Sequence, residues 1–128
     1  MATFLSDDYF EELASTVNAH EGFTAAISNV DLTLQFEVPD APDGAATKYF
    51  VAVGDGALQA GPGEADDPDA TITNDYETAV AISKGDLNTQ MAFMTGKLKV
   101  TGNMAKLMMN QSMLGKFAEA TSGMDIEY

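Results

Sequence analysis

The chain has 128 residues, of which 45% are hydrophobic and 20% charged, a size and balance that predict one folded domain over residues 1–128. Cysteine is absent, which excludes disulfides, thiolate catalysis and cysteine-based zinc sites, and one histidine leaves almost no material for a triad or a histidine metal site. The net charge of -14, with no arginine, argues against a nucleic-acid partner, because phosphate neutralisation needs clustered basic side chains.

Ser6 suits a helix N-cap, Asp7 and Asp8 suit the positive end of the helix dipole, and Phe10, Leu13, Ala14 and Val17 recur at helical spacing. An amphipathic helix over 7–19 follows, with His20 as its C-terminal residue and Gly22 as a stop signal. GFTAAIS can add one helical turn. At NVDLTLQFEV the period changes: Val30, Leu32, Leu34, Phe36 and Val38 alternate with polar residues, which predicts a strand with one buried face. PDAPDG at 39–44 is a turn, TKYFVAV at 47–53 a second strand, and Gly54-Asp55-Gly56 a hairpin into ALQA. The acidic stretch 61–69 reads as a solvated loop and ATIT at 70–73 as a fourth strand.

Asn74 or Asp75 can cap a helix running to about Ser83, and LNTQMAFM at 87–94 predicts another short one. Gly96 and Gly102 bracket KLKV, a fifth strand with Leu98 and Val100 on its apolar side. A last helix is expected over 103–120, with Met104, Leu107, Met108, Leu114 and Phe117 on one stripe and Met109 and Met113 widening it. The order predicts an α+β domain, a mostly antiparallel five-stranded sheet with helices on one face.

Charge and methionine concentrate together. Residues 1–77 hold 16 acids and one lysine, whereas residues 84–116 carry five lysines against Asp86. Six of the eight methionines lie between Met91 and Leu114. Methionine is long and polarizable, so a wall rich in it adapts to ligands of different shape. No residue pattern nominates a metal site, a nucleotide loop or a catalytic pair, and no cofactor is expected. The N-terminus lacks a basic and then apolar leader, and no long apolar run occurs, so a soluble protein of a bacterial or archaeal cytoplasm is expected.

DATITNDY at 69–76 and GDLNTQMAFMTGKLKVTGNM at 85–104, with the helix that follows, strongly resemble the sterol carrier protein-2 (SCP2) family of lipid-binding domains. Thr95 and Tyr49 depart from it, where glutamine and tryptophan are common. The resemblance implies an apolar tunnel between sheet and helices and a noncatalytic carrier of a fatty acid, acyl-CoA, sterol or similar molecule. Expected ligand contacts are Leu34, Phe36, Val51, Gln90, Met91, Phe93, Met94, Val100, Met104, Leu107 and Met108, with Gln90 as the family's polar contact. Lys97, Lys99 and Lys106 are expected to meet an anionic headgroup or membrane surface. The alternatives are an accessory domain that presents a hydrophobic substrate to a partner enzyme, and a homodimer formed through the apolar helix.

Overall fold

The computed structural model describes residues 2–84, 86–87, 89–121, 124 and 126–127. Strand β1 (Ala2–Thr3) leads into helix α1 (Asp7–Asn18). The expected cap is formed: Ser6 Oγ accepts from the Tyr9 N–H at 3.3 Å, and α1 buries Tyr9, Phe10, Leu13 and Val17. Ala19 ends this helix, and His20 begins the next, α2 (Glu21–Ala26), instead of closing the first. Its backbone is extended and its Nδ1 accepts from the Phe23 N–H at 3.1 Å. Gly22 is therefore inside a helix and is not a stop signal.

The main sheet contains β2 (Leu32–Glu37), β3 (Lys48–Gly54), β4 (Ala57–Pro62), β5 (Ala70–Thr73) and β6 (Lys99–Gly102), in the spatial order β4-β3-β2-β5-β6. The β2–β5 pair is parallel and the other three are antiparallel. Asp55 and Gly56 both have positive φ, as the tight β3–β4 hairpin requires. Register aligns Leu34 with Val51 and Ala70, and Ile72 with Phe36 and Val100, so these side chains share one face. Helix α1 packs over the β3–β4 side of that face. Phe10 lies 5.4 Å from Tyr49 between ring centroids, and the Asn18 amide exchanges two hydrogen bonds with the Leu58 backbone.

The fifth strand starts two residues later than its sequence pattern suggests and includes Gly102. At φ +106 a Cβ on Gly102 would stand 2.6 Å from the Asp69 carbonyl oxygen, so this glycine permits a close backbone approach. Helix α3 (Tyr76–Lys84) is capped by Asp75, whose Oδ1 accepts from the Thr78 N–H at 2.8 Å. Helix α4 (Thr89–Met94) is shorter than expected. The expected single helix over 103–120 is instead two, α5 (Met104–Met109) and α6 (Gln111–Thr121). Asn110 breaks them: its Nδ2 donates to the Lys106 carbonyl at 2.8 Å and its own N–H goes to Leu107, which closes α5 locally. Helix α6 packs on α1 and α2, with Phe117 6.1 Å from Phe23 between ring centroids. Strand β7 (Ile126–Glu127) then pairs in parallel with β1. Among the described residues no helix is long and apolar enough to cross a membrane.

Candidate functional site

The structure divides the expected lipid wall into a packed part and an open part. Leu34 and Val51 belong to the hydrophobic core, and Phe36 is half-buried, stacked on Tyr49 with centroids 4.8 Å apart. Val100 and Leu107 are half-buried beside the same core, and Met104 is half-buried. Helix α4 is pinned by Ala92, which is fully buried and whose carbonyl accepts from the N–H groups of Lys97 and Leu98. The residues around Ala92 point outward: Met91, Phe93 and Met94 are exposed, Met94 by 73%. Helix α5 buries none of its six residues, and Met108 and Met109 are exposed by 64% and 83%. Met113 is the exception, turned into the core at 4% exposure. Gln90 falls in α4, but its side chain lies outside the described residues, as does that of Leu114.

Five large apolar side chains thus stand in solvent on two short helices that flank the edge strand β6 in the chain. Isolated exposed apolar residues are ordinary on any protein surface; a set confined to two six-residue helices is not. Two surface depressions lie elsewhere, one bordered by Ser6, Asp7 and Gly44, the other by Asp40, Tyr76 and Val80. Neither includes an expected lining residue.

The lysines separate in the same way. Lys97 and Lys99 are exposed, Lys97 close enough to help hold the Asp75 carboxyl below its ordinary range, where the Thr78 hydrogen bonds have the larger effect. Lys106 is half-buried and paired, with its Nζ 3.1 Å from Asp69 Oδ2. Asp69 is a residue that sequence reasoning placed in a solvated loop. Its carboxylate accepts from the Thr33 N–H at 2.8 Å, its backbone N–H donates to the Thr33 carbonyl, and its carbonyl accepts from Asn103. One residue therefore joins β2, the start of β5 and the entry to α5. The signal available in the sequence was its position, immediately before a strand.

Gln35 was also missed, because it occupies the polar side of an alternating strand. It is buried, its Nε2 donates to the carbonyls of Tyr49 and Gly63, and its Oε1 accepts from the Ala65 N–H at 2.7 Å. It ties the 61–65 segment across the sheet face opposite the helices. The titration shifts that the site shows move away from neutrality. Burial, with Tyr9 nearby, pushes the Tyr49 hydroxyl up, and the Thr33 hydrogen bond together with Lys106 holds Asp69 down. Tyr49 thus stays protonated and Asp69 and Asp75 stay ionised around pH 7, so none of the three is poised to move a proton.

A family model for the SCP-2 sterol transfer family matches residues 10–115, which takes in the sheet, α4 and α5. The chain belongs to the SCP-2 sterol transfer family. Sterol carrier protein 2 of Homo sapiens is 37% identical over 78 residues, 61% of this chain and 14% of that protein. The chain thus spans about a seventh of the length of this curated relative. A crystal structure of sterol carrier protein 2 superposes with a TM-score of 0.78 at 20% identity, covering 94% of this chain and 98% of the other. The solution structure of a conserved hypothetical protein, possibly sterol carrier protein, from Thermus thermophilus gives 0.74 at 18% identity, covering 95% and 90%. At these identities the two structures show the SCP-2 fold. The exposed methionines and phenylalanine all lie within the matched part of the SCP-2 domain.

Proposed function

We propose that the chain, acting as one domain, is a noncatalytic carrier that holds a fatty acid, acyl-CoA, sterol or similar hydrophobic molecule. The observation that carries this reading is the exposure of Met91, Phe93, Met94, Met108 and Met109 on α4 and α5 of a protein with a charge of -14. Membership of the SCP-2 family supports it. An alkyl chain inserts beneath the two helices, toward the row of Phe36, Ile72 and Val100, and the methionines close over it. Both helices suit this movement, since among the described side chains α4 buries Ala92 and α5 buries none. Each methylene removed from water contributes about 0.8 kcal/mol of gross transfer energy, and lost ligand freedom offsets part of the sum. Micromolar affinity with modest selectivity for chain shape follows.

Lys97 and Lys99 attract an anionic headgroup or an acidic bilayer, while the acidic N-terminal part keeps the rest of the molecule away from it. Lys106, paired with Asp69, serves instead to hold α5. The reading is of a cytoplasmic protein that loads and unloads at such surfaces. Titration with a dodecyl chain bearing a terminal pyrene tests it. One-to-one saturation in the micromolar range, weakened about tenfold or more by Met94→Asp with Met109→Asp, is the expected result. A chain that forms a fixed oligomer by light scattering and leaves the probe unbound would instead make the apolar face a protein interface. Transfer to anionic vesicles should slow for Lys97→Glu with Lys99→Glu, and an unchanged rate would remove the electrostatic docking step.

A further inference from the structure

Methionine supplies all the sulfur of this chain, eight residues against no cysteine, so a two-electron oxidant meets thioethers and no thiol. The fold sorts those thioethers by exposure. Met91, Met94, Met108 and Met109 are each more than half exposed, and all four lie on α4 and α5. Met113 of α6 is buried, and Met104 and Met124 are half-buried. Susceptibility to oxidation follows exposure, so among the described residues the sulfur most open to attack is confined to the proposed lipid wall.

The exposed set carries little of the fold. Among the described side chains α4 buries Ala92 and α5 buries none, so oxygen added to these four sulfurs leaves the core and the sheet register intact. The effect falls on the ligand instead. In the loaded carrier these side chains close over an alkyl chain, and a sulfoxide placed there is a polar acceptor with no donor to meet it.

We propose that Met91, Met94, Met108 and Met109 form a redox-sensitive gate: oxidation to the sulfoxide by a hydroperoxide empties the carrier, and reduction restores it. The proposal rests on the carrier reading and adds its regulation. In the forward step with hydrogen peroxide, a sulfur lone pair attacks one peroxide oxygen and the O–O bond breaks. That oxygen stays on sulfur, and the other leaves as water with both protons; sulfur loses two electrons and the peroxide gains them. In the return step a thiol-dependent methionine sulfoxide reductase removes the oxygen as water while two thiols are oxidised to a disulfide.

The test is titration with the pyrene probe before and after brief hydrogen peroxide treatment, with peptide mass spectrometry scoring each methionine and circular dichroism the fold. Affinity should fall about tenfold or more once the four sites are oxidised and Met113 is not, the scale of burying one unpaired polar group. It should return after treatment with reductases for both sulfoxide epimers and dithiothreitol. The combined variant Met91→Leu, Met94→Leu, Met108→Leu and Met109→Leu should bind equally before and after peroxide, whatever its starting affinity. Unchanged affinity in the oxidised wild type overturns the gate and leaves the carrier reading standing. So does a loss that the reductases fail to reverse, one that appears only with oxidation of Met113 or a changed dichroism spectrum, or one that persists in the combined variant. The wild-type comparison stands without the variant, so poor folding of the variant would not protect the proposal. If the untreated protein leaves the probe unbound, the carrier reading and the gate fall together.

Discussion

Asp69 concentrates more of the architecture into one side chain than any count of surface acids suggests. Its carboxylate receives the Thr33 N–H and the Lys106 ammonium, and its backbone receives Asn103. Asp69→Asn should cost about 1–2 kcal/mol in urea unfolding at pH 7, since charge-assisted bonds are the stronger ones. The pH dependence has a defined sign. The folded-state pKa is held below the ordinary 3.8, so the stabilisation is complete above that value and is lost as pH falls through the folded pKa. The gap between wild type and Asp69→Asn should be constant from about pH 5 to 8 and close below about pH 4. A gap that widens in acid would assign the role to some other group. Gly102→Ala should be more damaging, by about 2 kcal/mol or more, because the new methyl meets the Asp69 carbonyl and the Ala70 Cα at a backbone angle that alanine avoids. At this scale the caps Ser6 and Asp75 were legible in the sequence, because capping is a local chemistry. Asp69 was not, since its partners at Thr33 and Lys106 lie far away along the chain.

Among the elements, the strands were read where apolar and polar residues alternate, and β2 forms within the Val30 to Val38 pattern but is shorter, over Leu32–Glu37. The last helix was misread because its hydrophobic stripe continues past Asn110, and periodicity cannot register one side chain closing a turn early. Helix α5 is consequently short and depends on its cap, Asn103, whose Oδ1 accepts from the Lys106 N–H at 3.0 Å. Asn103→Ala should cost about 1 kcal/mol locally. Hydrogen exchange should rise in α5 and leave β2 and β3 unchanged; an equal rise throughout would mean that α5 is part of the global folding unit. The methionines were legible as a cluster, but not their division into exposed and buried. Brief peroxide treatment should oxidise Met94, Met108 and Met109 well before Met113, read by peptide mass spectrometry. Added lipid should protect the first three.

For the molecule as a whole, the α+β class and five strands were legible because each strand carries its own local signal, whereas the spatial order was not. The parallel β2–β5 pair and the β1–β7 contact bring together segments distant in sequence, and no local pattern encodes them. The tunnel expected from the resemblance most needs direct measurement, because Leu34 and Val51 are packed in the core while the methionines face solvent. A carrier with this arrangement opens α4 and α5 to admit a chain. Native mass spectrometry of the delipidated protein, incubated with an equimolar mixture of palmitate and 1-hexadecanol, tests that opening. A single bound alkyl chain per protein is expected. A spectrum showing only unliganded protein would mean that the helices do not open and that the chain is no carrier.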